Sequence, residues 1–93
     1  MSRRVHTVKD RGEFISEAQA HVLLDRLCVK YGFSLPPLWW ARLKQNPPRS
    51  VDRFTDTVFR AEGLDPMTAD SNLYKAVRDE VRAAFAASRP HDV

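Results

Sequence analysis

Two helices are predicted to meet at a corner formed by the stretch Gly32-Phe33-Ser34-Leu35-Pro36-Pro37-Leu38-Trp39-Trp40-Ala41-Arg42-Leu43. Gly32 follows a run of helix-forming residues, and glycine closes a helix in the left-handed conformation at little steric cost. Pro36 and Pro37 prevent a helix from continuing through the corner, although Pro37 suits the first position of a new helix. The stretch therefore predicts one helix that ends near Tyr31 and another that begins at Pro37.

The second of these helices carries both tryptophans of the chain. At about 100° per residue, Trp39, Trp40 and Leu43 fall on one side of it. Two neighbouring indoles form a large apolar surface, so we expect both to point into the middle of the fold and the other helices to pack against them. The alternative is an aromatic platform for a ligand, a peptide or a stacked base.

Capping residues and apolar spacing predict three helices besides the tryptophan helix. The pattern Ser16-Glu17-Ala18-Gln19 is a capping box, in which the serine and glutamine side chains each accept the other residue's N–H, and it opens a helix to about residue 31. Ser50 caps a helix to about residue 62, which Gly63 ends. The last helix begins near residue 70 or 71 and runs to about residue 88.

Together these elements predict an all-α fold, a single small domain of about four helices packed around a Trp/Leu/Phe core. Residues 14–89 form the helical domain, residues 1–13 a flexible basic arm and residues 90–93 a frayed tail. The 93 residues are 43% hydrophobic and 29% charged, which is typical of one folded domain.

Several functional classes receive no support from the sequence. The chain has no apolar run near membrane-spanning length and no signal peptide, and its one cysteine, Cys28, cannot form an internal disulfide, so we expect a cytoplasmic protein. His21 and Cys28 lie seven residues apart on one helix, about 10 Å along its axis, which is too far to share a metal or a proton. We therefore expect no enzyme, no cofactor and no metal.

The favoured interpretation is a small non-enzymatic module that binds another protein or a second copy of itself. The main apolar side of the first helix faces the fold, which leaves Val22 and Val29 on the far side with Ala18 in line. Leu38 and Phe59 are further candidates for exposed contact residues. The competing interpretation is that these side chains fill the core.

Nucleic-acid binding is the alternative function. The whole net charge of +3 is accounted for by residues 1–11, where Arg3 and Arg4 lie, and the middle of the chain adds Arg49, Arg53 and Arg60. The helices on either side of Pro47-Pro48 suggest a helix-turn-helix arrangement that would present these arginines to a groove of DNA.

Two carboxylates oppose this alternative because they share a helix with the arginines. Asp52 and Asp56 would meet phosphates, and Asp56 precedes Arg60 by four residues, the favourable order for an ion pair within a helix. The charges of this helix are therefore predicted to pair with each other at a solvated surface.

Overall fold

The structure is a computed structural model that describes residues 14–88, which form four α-helices. Helix α1 spans Glu17–Tyr31, α2 spans Pro37–Gln45, α3 spans Val51–Ala61 and α4 spans Ser71–Ser88. The predicted all-α fold is confirmed, and the helix bounds agree with the predicted ones to within one residue. The predicted arm at residues 1–13 and the tail at residues 90–93 lie outside the described residues.

The corner between α1 and α2 is built as the sequence predicts. Gly32 adopts the left-handed conformation with φ 72°, and its N–H donates to the Cys28 carbonyl at 3.1 Å. Phe33 is buried, and its N–H reaches back to the Leu27 carbonyl. The Ser34 N–H donates to the Glu62 carboxylate at the end of α3, and its nitrogen lies 3.1 Å from each of the two carboxylate oxygens. The corner is therefore fixed to α3 as well as to α1.

The start of α1 differs from a simple capping box. The Ser16 hydroxyl accepts the Gln19 N–H at 3.1 Å, as predicted. The Ser16 N–H, however, donates to the hydroxyl of Ser88 at 3.0 Å and not to the Gln19 side chain. Since Ser88 is the last residue of α4, this hydrogen bond joins the first turn of the domain to its last turn.

Helix α4 lies against both α1 and α3, while α2 packs mainly on α1. Inside, apolar side chains form one continuous cluster, and ring contacts such as the edge-on pair Phe54 and Phe85, 6.0 Å between centroids, join α3 to α4. The buried apolar residues are Ile15, Ala20, Leu23, Leu24, Leu27, Phe33, Leu35, Leu43, Phe54, Val58, Phe59, Val77, Val81, Ala84 and Phe85. Leucine, phenylalanine and valine therefore supply most of the core.

The two tryptophans lie at the edge of this core and not at its centre. Trp40 is partly buried, packs against the core cluster and meets the ring of His21 edge-on, 5.5 Å between centroids. Trp39 is partly buried, and Leu43 is the buried residue of α2. Our prediction that the other helices pack around both indoles is wrong, because α2 is short and has one extensive neighbour, α1.

Phe59, predicted as an exposed contact residue, is fully buried. Its ring meets Phe33 edge-on at 5.8 Å and Tyr74 at 5.2 Å between centroids. Phe59 lies off the main apolar side of α3, but the corner covers α3 from one direction and α4 from another. Contacts from two directions therefore bury a larger part of the circumference of α3 than a single neighbouring helix would.

A small cluster of charges joins α1 to α4 outside the core. The Glu80 carboxylate accepts Lys30 Nζ at 2.7 Å and lies 3.5 Å from an Arg26 guanidinium nitrogen. The hydrogen bond between Lys30 and Glu80 is the largest cause of a pKa shift in both groups. It lowers the pKa of Glu80 and raises the pKa of Lys30. The cluster favours one alignment of the two helices.

We predict that Phe59→Ala destabilises the domain by about 3–5 kcal/mol, because it removes a buried ring that packs against the corner and α4 and leaves a cavity. That loss is a large part of the roughly 5–15 kcal/mol by which domains are stable. Urea denaturation followed by circular dichroism measures it. Leu38→Ala, at a side chain that is 68% exposed, is the matched control and should cost under about 0.5 kcal/mol. Equal costs for the two variants would contradict the assignment of Phe59 to the core.

We predict a pH-dependent contribution from Glu80. Since folding lowers the pKa of Glu80, its carboxylate stabilises the fold above the unfolded-state pKa, and this stabilisation is lost as the pH falls through the lower, folded-state pKa. At pH 7 Glu80→Gln should cost about 0.5–1 kcal/mol, and the gap between the variant and the wild type should close toward pH 3. Thermal melts from pH 3 to pH 7 measure the gap, with Asp79→Asn, the same loss of charge at an exposed carboxylate of α4, as the control. A constant gap would contradict the prediction.

Candidate functional site

An apolar stripe runs along the outside of α1, formed by Ala18, Val22 and Val29. All three side chains are exposed, Val22 by 46% and Val29 by 79%. Seven residues separate the two valines, so they lie two turns apart and within about 20° around the helix axis. The inner side of α1 is fully occupied by four buried residues, Ala20, Leu23, Leu24 and Leu27. The α1 stripe therefore faces away from the core, as predicted.

Opposite charges flank the α1 stripe. At about 100° per residue, Asp25 lies about 50° to one side of the two valines and Arg26 about 50° to the other. Both side chains are exposed. Arg26 reaches Glu80 at 3.5 Å, whereas Asp25 makes no ion pair with another residue of the 14–88 range. We did not predict these flanking charges from the sequence, although Asp25 and Arg26 lie between Val22 and Val29 in it.

The other two predicted contact residues do not extend the stripe. Leu38 is exposed but belongs to α2, on the side of that helix opposite its buried Leu43. Phe59 lies in the core and is removed from the set of candidate interface residues. The interface predicted from four residues is therefore reduced to the two valines on α1, with Ala18 in line and Leu38 on a separate helix.

A second surface, the α2–α3 groove, lies between the end of α2 and the outer side of α3. It consists of two adjoining depressions of about 530 and 340 Å³ that share three residues. The shared residues are Asn46, Pro48 and Thr57; Arg53, Asp56 and Arg60 complete the larger depression, and Trp39, Arg42 and Leu43 the smaller. Two of the predicted basic residues, Arg53 and Arg60, are therefore brought to one concave surface.

The remaining basic candidates have other positions. Arg49 is exposed in the turn before α3 and lines a separate depression of about 480 Å³ with Phe14 and Pro47. Arg3 and Arg4 lie outside the described residues. The α2–α3 groove thus unites part of the predicted basic set, and it adds Arg42.

The carboxylates of α3 do not form the predicted pair within the helix. Asp52 accepts Arg78 Nε at 2.8 Å, and Asp56 accepts the Tyr74 hydroxyl at 2.6 Å, so both are engaged by α4. Burial, followed by the hydrogen bond to Asp56, raises the pKa of Tyr74 to about 12. In the described part of the chain, Arg53 and Arg60 have no ion pair. The prediction that Asp56 pairs with Arg60 is wrong, because α4 offers Asp56 a closer partner.

Trp39 belongs to the α2–α3 groove together with a cation. The Arg42 guanidinium carbon lies 5.4 Å from the centre of the Trp39 ring, a cation–π contact between residues three apart on one helix. Lys44 Nζ has a similar position, 6.0 Å from the ring of Trp40. Sequence reasoning missed the Trp39–Arg42 pair, although a three-residue spacing within a helix was the signal for it.

Cys28 and His21, the pair considered in the sequence as possible metal ligands, have separate surroundings in the structure. Burial, with smaller contributions from Asp25 and Glu62, raises the pKa of Cys28, which makes its reactive thiolate less available. His21 contacts Trp40, and its Nδ1 lies 3.5 Å from Lys44 Nζ. Between residues 14 and 88, the structure contains no group of three or more histidine, cysteine or carboxylate side chains placed to hold a metal ion.

No helix within residues 14–88 has both the length and the apolar character required to cross a membrane. The chain matches no protein-family model, no curated protein and no solved structure.

Proposed function

We propose that the domain is a small non-enzymatic protein-interaction module that acts through the outer side of α1. The observation that carries the proposal is the exposure of Val22 and Val29 on a helix whose opposite side already packs in the core. A helix with apolar residues on both sides has a second surface for a partner, and a partner helix with apolar residues seven apart fits this one.

The flanking charges favour a second copy of the domain as the partner. In a parallel, two-fold pair of α1 helices, the side that carries Asp25 faces the side of the other copy that carries Arg26. An antiparallel pair would instead bring like charges together. The parallel arrangement places Val22 and Val29 against their counterparts and gives each Asp25 an opposite charge.

The α1 stripe has a small area, so the association is weak. Two valines and an alanine per copy bury much less than the area of a standard stable interface. We therefore expect a dissociation constant of about 100 µM, which corresponds to roughly −5.5 kcal/mol. A module of this affinity works where its local concentration is high or where it is attached to further contacts.

Replacing both valines by glutamate tests the surface. Val22→Glu/Val29→Glu should keep the helical circular dichroism and abolish self-association in sedimentation equilibrium at about 0.1–1 mM. The matched control is Ala83→Glu/Ala87→Glu, which adds the same charge at exposed positions of α4 and should leave association unchanged. A wild-type chain that stays monomeric at 1 mM, or a valine variant that does not fold, would refute the interface.

A charge exchange tests the parallel arrangement. Asp25→Arg and Arg26→Asp should each weaken association by roughly threefold, since exposed ion pairs contribute up to about 1 kcal/mol. The exchanged double variant should associate more tightly than either single variant because it restores opposite charges across the pair. Arg26→Asp also removes the 3.5 Å contact with Glu80, so thermal melts of each variant check that the fold is kept. If the double variant associates more weakly than either single variant, the parallel arrangement is excluded. The Val22→Glu/Val29→Glu variant would still test whether the α1 stripe is the interface.

A further inference from the structure

The α2–α3 groove carries more positive than negative charge. Arg42, Arg53 and Arg60 line it, and none of the three forms an ion pair with another residue in the described part of the chain. Asp56 is the carboxylate in its lining, and one of its oxygens accepts the Tyr74 hydroxyl at the side of α4. Three guanidinium groups against one engaged carboxylate make the groove a surface for an anion.

The spacing of the arginines in the α2–α3 groove and the ring of Trp39 indicate which class of anion the groove suits. Arg53 and Arg60 are seven residues apart on α3, so they mark a line of about 10 Å along one wall of the groove. Guanidinium groups suit phosphates, to which they donate two hydrogen bonds at once. Trp39 is partly buried in the same groove, and its ring together with the Arg42 guanidinium 5.4 Å from the ring centre forms a flat stack to which an unpaired base can add.

We propose that the α2–α3 groove binds single-stranded nucleic acid, with backbone phosphates on Arg53 and Arg60 and a base stacked on Trp39 beside Arg42. This activity uses a different surface from the α1 stripe and does not depend on self-association. A carboxylate-rich peptide would satisfy the arginines but would leave the indole unused, so the ring favours a nucleic acid.

The position of the groove favours a single strand over a duplex. Duplex readers insert a projecting helix into a major groove about 12 Å wide. Here the arginine side of α3 shares its concave surface with α2 and with Pro48, which flank α3. The bases of a duplex are stacked inside it and are not available to an indole that lines a protein groove, whereas unpaired bases are.

Fluorescence anisotropy with a labelled 12-nucleotide dT strand tests the proposal on the full chain. Binding should be measurable at 20 mM salt and should weaken steeply by 200 mM as counterions are released. Arg53→Ala/Arg60→Ala should weaken binding at 20 mM salt and flatten the plot of log affinity against log salt by about 1.4, roughly 0.7 per phosphate contact. Arg82→Ala, an exposed arginine on α4, is the control for charge and should change neither value by more than twofold.

Substitution of Trp39 separates stacking from charge. Trp39→Leu should weaken binding about tenfold and leave the salt dependence unchanged, because no phosphate contact is lost. Trp39→Phe keeps a ring and should recover most of the affinity. Circular dichroism spectra of both variants, compared with the wild type, identify any loss of folding.

Several results would overturn the proposal. The absence of binding at 20 mM salt with 50 µM protein would refute the site, and an affinity for a 12-base-pair duplex equal to that for the single strand would refute the preference. Binding lost in Arg3→Ala/Arg4→Ala but retained in Arg53→Ala/Arg60→Ala would assign it to residues outside the groove. A poly-glutamate peptide that competes equally well per charge would show that Trp39 has no part in recognition.

Discussion

Burial of the apolar side of α4 is the interaction on which the described fold depends. Val77 and Val81 are fully buried, and Phe85 meets Phe54 of α3 edge-on. Because α4 lies against both α1 and α3, it holds together two helices that are distant in the sequence. The hydrogen bond from the Ser16 N–H to Ser88 adds a polar contact at the end of this helix, so the beginning and the end of the domain are fixed together.

The polar edges of α4 also determine which charges remain available at the surface. Glu80 engages Lys30 and Arg26 of α1, while Arg78 and Tyr74 engage Asp52 and Asp56 of α3. In each case a group on α4 bonds a charged group on a neighbouring helix. As a result the carboxylates of α3 are bonded to α4, while Arg53 and Arg60 on the outer side of α3 line the α2–α3 groove.

The two surfaces that we propose as sites differ in their physical basis. The α1 stripe is apolar and small, so its binding free energy depends on the area that a partner covers and on the charges beside it. The α2–α3 groove is concave and basic, so its binding free energy depends on salt and on aromatic stacking. The Val22→Glu/Val29→Glu and Arg53→Ala/Arg60→Ala variants separate the contributions of the two surfaces, because each pair of substitutions alters one surface only.

The sequence by itself determined the number, bounds and caps of the helices, because those depend on contacts within a few residues. Gly32, Pro37 and the Ser16 hydroxyl act as local signals, and the apolar spacing of α1 placed Val22 and Val29 on the side away from its main apolar face. Whether those two valines are exposed or buried was left open by the sequence. The tertiary structure decided how much of each helix is covered. Phe59 is buried because both the corner and α4 contact it, while Trp39 is only partly buried because α2 has one extensive neighbour. It also decided the partner of Asp56, since the Tyr74 hydroxyl, 18 residues away, is closer than the expected Arg60. Local spacing fixes which side chains share a helix side, but contacts between distant segments fix which of them are buried or paired.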